Sequence, residues 1–292
     1  VTLQERGNLA DAEQSYKNTI SINADFIQAH YNLGITLQEL GRFEEAKESY
    51  KKAIAIHPNH PDAHYNLGNT YKEFNRLEED ESSYRKALEL NPNFANAFNN
   101  LGIVLQEFGK LEESEACYRK AISMNSEFSE AHSNLGNILK ELLRLDEAEI
   151  SHQKAIEIFK SAVEISDDCS DLYSLIGMEY LFLDKFQEAK LNFMKCIELD
   201  LENYSALYNI IYCFDFLDKN EDAIDFLNTY LDTNPYCEVA WHQIGRQYSV
   251  IKRHEEALSA YDFAVIIDEL FVGGYLEKAK TLKNVSINIL QV

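Results

Sequence analysis

Proline is nearly missing from this chain, with four residues in 292, and glycine is scarce at eleven. Strand-and-turn folds and low-complexity segments need more of both, so the scarcity points to helices joined by short turns. The five cysteines, Cys117, Cys169, Cys196, Cys213 and Cys237, are odd in number and form no CxxC pair. That argues against a disulfide framework or a zinc ribbon and reads as reduced thiols in a cytoplasmic protein. No apolar run is long enough to span a bilayer, and the opening VTLQERGNLA has no basic stretch followed by an apolar one, so neither membrane insertion nor a secretory signal is expected. The chain opens inside a repeat and without Met, and is read as a fragment or as starting downstream of its true beginning. Positive charge is also short: 27 Lys and Arg stand against 49 Asp and Glu, a net charge of -22 with a pI near 4.7. No basic stripe is available to neutralise phosphates, which argues against nucleic acid, whereas a basic peptide or protein partner is compatible. Phosphate loops, HExxH, GxSxG and Cys/His constellations are missing too, so no enzyme and no cofactor is expected.

What is present is repetition. HYNLGITLQELGRFEEAKESYKK from His30 returns in the same register from His64, Phe98 and His132, each start 34 residues after the last. A fixed period in that range means a helix-turn-helix unit that cannot bury its apolar face alone and stacks on its neighbours. With units starting at 27, 61, 95 and 129, position 8 holds Gly34, Gly68, Gly102 and Gly136. Position 20 holds Ala46, Asp80, Ser114 and Ala148, and position 27 holds Ala53, Ala87, Ala121 and Ala155. Large residues fill the space between, Leu33, Leu67, Leu101 and Leu135 at position 7 and Tyr50, Tyr84 and Tyr118 at position 24. Spacings of three and four place them on one helical face. Acidic pairs such as Glu44-Glu45 and Glu112-Glu113 fall at the start of each second helix, where they complement the macrodipole and account for much of the charge.

This pattern resembles the tetratricopeptide repeat family, down to Pro58, Pro92 and Pro235 at position 32. The resemblance implies an all-α fold, a right-handed superhelix or α-solenoid. It would hold about seven full repeats, an N-terminal half repeat over 1–26 and a C-terminal capping helix over 272–290. After Lys160 the phase slips by seven residues, read as two extra turns on the second helix of the 129 unit. Asp167 to Asp171 then hold the turn and the next helix start. Further units begin at 170, 204 and 238, so the chain divides into an array over 1–169 and a diverged array over 170–292, joined by nature or by an engineer. In the 204 unit, Ile211 and Tyr230 replace small residues at positions 8 and 27 and are expected to spread or tilt its helices.

The same resemblance implies that the first helix of each unit lines a concave groove. Its position 6 carries Asn32, Asn66, Asn100 and Asn134, with Asn209 in the later array. An amide donates and accepts together, so such a column can hold a peptide backbone without reading its sequence. It is similar to the column in the repeat arm of O-linked N-acetylglucosamine transferases and SPINDLY-type proteins, which residues 1–160 most resemble. The competing reading is a column that is merely common at this repeat position and solvated. Around it the early groove would show Tyr31, Tyr65, Asn69, Asn137, Lys72 and Lys140, with Glu39, Glu73, Glu107 and Glu141 along position 13. The later groove would show Met178, Leu181, Phe182, Tyr212, Phe216 and Val250, as apolar anchors or as residues packed on one another. A clamp for an acidic C-terminus is excluded, because Tyr65 and Asn134 stand where basic residues are needed. His57, His60 and His64 read as structural, and Asp80 as solvent-exposed at the rim of its unit.

These observations imply a non-catalytic scaffold that binds an extended peptide segment. The alternatives are the substrate-recognition arm of a larger O-linked glycosyltransferase, and a module that self-associates through its open N-terminal edge.

Overall fold

In a computed structural model, residues 3–166 and 169–290 are described, and they hold sixteen α-helices. Asp167 and Asp168, in the expected turn, lie outside the described residues. The chain clusters into two compact units, 1–151 and 152–292.

The first unit opens with α1 (Leu3–Ile22) and continues as helical hairpins: α2 (Ile27–Glu39) with α3 (Phe43–Ile56), α4 (Pro61–Glu73) with α5 (Leu77–Leu90), and α6 (Ala95–Glu107) with α7 (Leu111–Met124). It ends with α8 (Ser129–Glu141) and the start of α9 (Leu145–Val163), which has 19 residues where α3, α5 and α7 have 14. The second unit takes up the rest of α9. It then pairs α10 (Ser170–Phe182) with α11 (Phe186–Leu199), α12 (Tyr204–Phe216) with α13 (Asn220–Thr233), and α14 (Glu238–Val250) with α15 (His254–Ile267), and α16 (Val272–Leu290) follows.

Each hairpin is closed by the same device. The second residue after every first helix has a left-handed backbone: Gly41 and Gly109 at φ of 74° and 71°, and Asn75, Leu143, Asp184, Asp218 and Lys252 at 54° to 65°. Two glycines and three Asn or Asp residues tolerate that conformation, whereas Leu143 and Lys252 hold it against steric cost. The aromatic at position 24 then packs on the glycine at position 8. A methyl added to Gly102 would stand 2.6 Å from the Tyr118 ring, and Gly34, Gly68, Gly177 and Gly245 face Tyr50, Tyr84, Phe193 and Tyr261 in the same way.

The core is a series of local clusters. Leu33, Leu37, Ala46, Tyr50, Leu67 and Tyr71 join two repeats, and Tyr118, Leu135, Ile138, Leu139 and Ala148 join two more. In the second unit one larger cluster runs from Ala189 to Ala260. Within it Ile211 and Tyr230 are buried, and α12 and α13 approach each other far less closely than any other complete hairpin, as two bulky residues at close-contact positions require.

Polar ties repeat as well. The ring N–H of His30, His64 and His132 donates to the carbonyl six residues earlier, at Ala24, Pro58 and Ser126, and Trp241 does the same to Pro235. His60 accepts from the Ala63 amide at the start of α4. Among the described residues no helix is long and apolar enough to cross a membrane, and no three His, Cys, Asp or Glu side chains are grouped to hold a metal ion.

Candidate functional site

Every residue expected in the groove lies on the first helix of a hairpin. The sequence alone leaves the asparagine amides at the disposal of a passing chain, whereas the structure uses N–H groups of Asn66, Asn100 and Asn134 within the stack. Asn66 Nδ2 donates to Tyr31 Oη at 3.1 Å, Asn134 Nδ2 to Asn99 Oδ1 at 3.1 Å, and Asn100 Nδ2 to Asn69 Oδ1 at 3.0 Å and Tyr65 Oη at 3.3 Å. In each case position 6 of one repeat reaches a side chain on the repeat before it, so the column ties neighbouring repeats together. Asn209 donates only to the Met178 sulfur, at 3.6 Å, and Asn32 accepts from Gln28 Nε2 at 2.8 Å. An amide has two hydrogens and an oxygen, so Asn66 and Asn134 keep further capacity once one N–H is engaged. Asn100 is more fully used, since its oxygen also accepts from Asn99.

One of these partners, Asn69, follows from a shortage of acceptors. The buried hydroxyls of Tyr50 and Tyr118 donate to Gln38 and Gln106 at position 12. In the 61 unit that position is Lys72, which has no acceptor, and Tyr84 donates instead to Asn69 Oδ1 at 2.8 Å. Asn69 is therefore a structural acceptor before it is a ligand contact. Asn99, almost wholly buried, was not expected in the site. It joins Asn134, Asn100 and Glu130 at one point, and the signal in the sequence was an Asn-Asn pair where the sister repeats carry a single amide.

Tyr31 and Tyr65 are half-buried and lie against His60 and Phe94 of the following loop, at ring centroid distances of 4.8 and 4.7 Å. Burial pushes both phenols above their usual pKa, with the Asp62 carboxylate adding to the effect at Tyr31, so both remain neutral hydrogen-bonding groups. Asn137 is half-buried, while Lys72, Lys140, Glu39, Glu73, Glu107 and Glu141 are exposed.

In the second unit the corresponding face is apolar. Tyr208, Tyr212 and Phe216 on α12 are 42%, 48% and 60% exposed. The Phe216 ring stacks on Phe186 at 4.1 Å, and Tyr212 lies 5.4 Å from Phe216 and 6.2 Å from Phe186. Met178 and Leu181 are partly buried against the core, and Val250 is exposed. Phe182 stacks on the buried His152, which hydrogen-bonds Glu179 at 2.8 Å. Met178, Leu181 and Phe182 thus belong to internal packing, while Tyr212, Phe216 and Val250 stay open.

Asp80 corrects the sequence reading. It is not exposed at a rim: it is wholly buried, and neither carboxylate oxygen has a hydrogen-bond partner. It occupies a small-residue position whose neighbours are all set by the repeat, so the chain had no room to turn the group outward.

Residues 37–73 match a TPR repeat model, and residues 83–116, 61–94 and 170–203 match tetratricopeptide repeat models. Anaphase-promoting complex subunit 3 of Schizosaccharomyces pombe is 25% identical over 127 residues, which is 44% of this chain and 19% of that protein. The matched stretch thus spans about a fifth of that relative's length. Among solved structures, a crystal structure of MamA is similar with a TM-score of 0.52 at 24% identity, covering 55% of this chain and 94% of that one. A second MamA structure gives 0.50 at 24%, covering 56% and 90%. These likenesses are of fold. With the helices paired as they are, residues 37–116 and 170–203 carry tetratricopeptide repeats, and the described residues form an all-α fold of helical hairpins.

Proposed function

We propose that the chain is a non-catalytic interaction scaffold that holds an extended segment of a partner protein along the first helices of its repeats. The observation that carries this reading is the aromatic face of α12, where Tyr208, Tyr212 and Phe216 stand open beside Phe186. Large rings with few rotatable bonds are the residues that most often anchor a partner. We read 1–169 and 170–292 as two arrays, the first offering exposed carboxylates and lysines with the remaining amide groups of Asn66, Asn134 and Asn137, and the second offering apolar anchors. A net charge of -22 favours a basic segment.

The test is a titration of fluorescent peptides with wild type, a Tyr212→Ala/Phe216→Ala variant, and an Asn66→Ala/Asn134→Ala variant. Because the amides also join repeats, melting curves accompany each titration. We expect the aromatic variant to bind at least tenfold more weakly with its melting temperature nearly unchanged, and the amide variant to lose stability and affinity together. Equal affinity of wild type and the aromatic variant would remove this face from the account.

The similarity to a protein named as a complex subunit supports a second reading, in which the partner is a fellow subunit of an assembly. The finer resemblance of residues 1–160 to glycosyltransferase repeat arms makes a third. In that case the full reading frame would continue into a catalytic domain.

A further inference from the structure

Asp80 is the one carboxylate in the position-20 column of the first unit, where the sister repeats carry Ala46, Ser114 and Ala148. It is 0% exposed, and both of its oxygens are buried without a hydrogen-bond partner. An ionised carboxylate in that setting is costly, because nothing replaces the water it lost. Its sister Ser114 shows what the site accepts: the Ser114 hydroxyl donates to the Gly102 carbonyl at 2.7 Å, from position 20 to position 8. The equivalent acceptor for Asp80 is the Gly68 carbonyl, and only a protonated carboxyl has a hydrogen to give it.

We propose that Asp80 is carried as a neutral acid in the folded 61–94 repeat, donating toward the Gly68 carbonyl, and that loss of this proton loosens the α4/α5 hairpin. The repeat is thereby a proton-sensitive joint within the first unit. The groups facing Asp80 pull both ways: the Tyr84 hydroxyl on its own helix, given to Asn69, and the exposed Lys72 on α4 favour the anion, while Glu107 on α6 opposes it. Burial is the largest influence and pushes the Asp80 carboxyl up to about 7 from an ordinary value of 3.8. Tyr84 lies on Gly68 and donates to Asn69, which accepts from Asn100, so disturbing this hairpin also reaches the tie to the next repeat.

The sign follows from proton binding. The folded state binds a proton more tightly than the unfolded chain, so stability is full below pH 3.8, falls as pH rises, and levels off above about 7. The other carboxylates add their own pH dependence, so the measurement is a difference. Wild type, Asp80→Asn, Asp80→Ser and Asp80→Ala are unfolded in urea at pH 5, 6, 7 and 8. The Ser and Ala variants carry what the sister repeats already hold at this position and keep the test open if Asp80→Asn folds poorly. Relative to them, the wild-type constant for the urea transition that unfolds the first unit should rise on the order of a hundredfold from pH 5 to pH 8. The carboxyl carbon of Asp80, followed by NMR, should titrate near neutrality. A wild-type-to-variant ratio that stays constant across this range, or a carboxyl titrating near 4, would overturn the proposal.

Discussion

Single side chains set how closely these helices can approach. The aromatic ring at position 24 fills the space that glycine leaves at position 8, so Gly102→Ala forces the Tyr118 ring or its helix to move. Overpacking of that kind costs about 1–3 kcal/mol, and urea denaturation of the variant should show a loss in that range. The same substitution at Gly7, where an added methyl meets nothing, should be neutral or slightly stabilising. The position-6 amides belong to this scale as well. Their place in the repeat was legible in the sequence. Their engagement was not, because it depends on a tyrosine or asparagine 35 residues earlier coming within 3.1 Å. Asp80 escaped for a related reason: charge argues for the surface, and only the packed neighbours show that no path to the surface exists.

At the scale of the element, the hairpin turn decides more than the helices it joins. A left-handed residue recurs at position 15 in all seven hairpins, and in two of them it is Leu143 or Lys252. Leu143 is 84% exposed, so its side chain gains little from packing there. Leu143→Gly should therefore stabilise the protein by about 1 kcal/mol, the steric cost of a left-handed residue with a Cβ, read as a higher urea midpoint. The seven-residue phase slip in the sequence is matched only in part by α9, which is longer than α3, α5 and α7 by five residues, about one and a half turns and not two. The wide spacing of α12 and α13 was legible in Ile211 and Tyr230. The way Tyr230 settles, donating to the Leu201 carbonyl at 2.6 Å and accepting from Asn234 at 3.0 Å, was not.

For the whole molecule, stability is a sum of short-range terms. Among the described residues, helices touch mainly those next to them in the chain and a few two along, so the packing terms are local. Urea unfolding should therefore be broader than for a compact domain of the same length, and circular dichroism and Trp241 fluorescence should give different midpoints, since the fluorescence reports only on the repeat around it. Coincident midpoints would argue for cooperative unfolding of both units. Ion pairs link successive repeats, Arg42 to Glu13 and Arg144 to Glu115, each at 2.7 Å, and Lys110 to Glu81 at 3.2 Å. The 27–61 junction breaks this series, because Lys47 stands at the position where an acid would meet Arg76.

The sequence by itself determined the helical hairpin, its period of 34 residues and the small and large columns that let hairpins stack, because each depends on spacing along one helix. It also placed the first-helix residues on a common face. Only the tertiary structure decided which of those residues are free to meet a partner. Whether an amide, a phenylalanine or a carboxyl is available depends on what the next repeat brings within hydrogen-bond or van der Waals distance, and that neighbour is some 30 residues away in the chain.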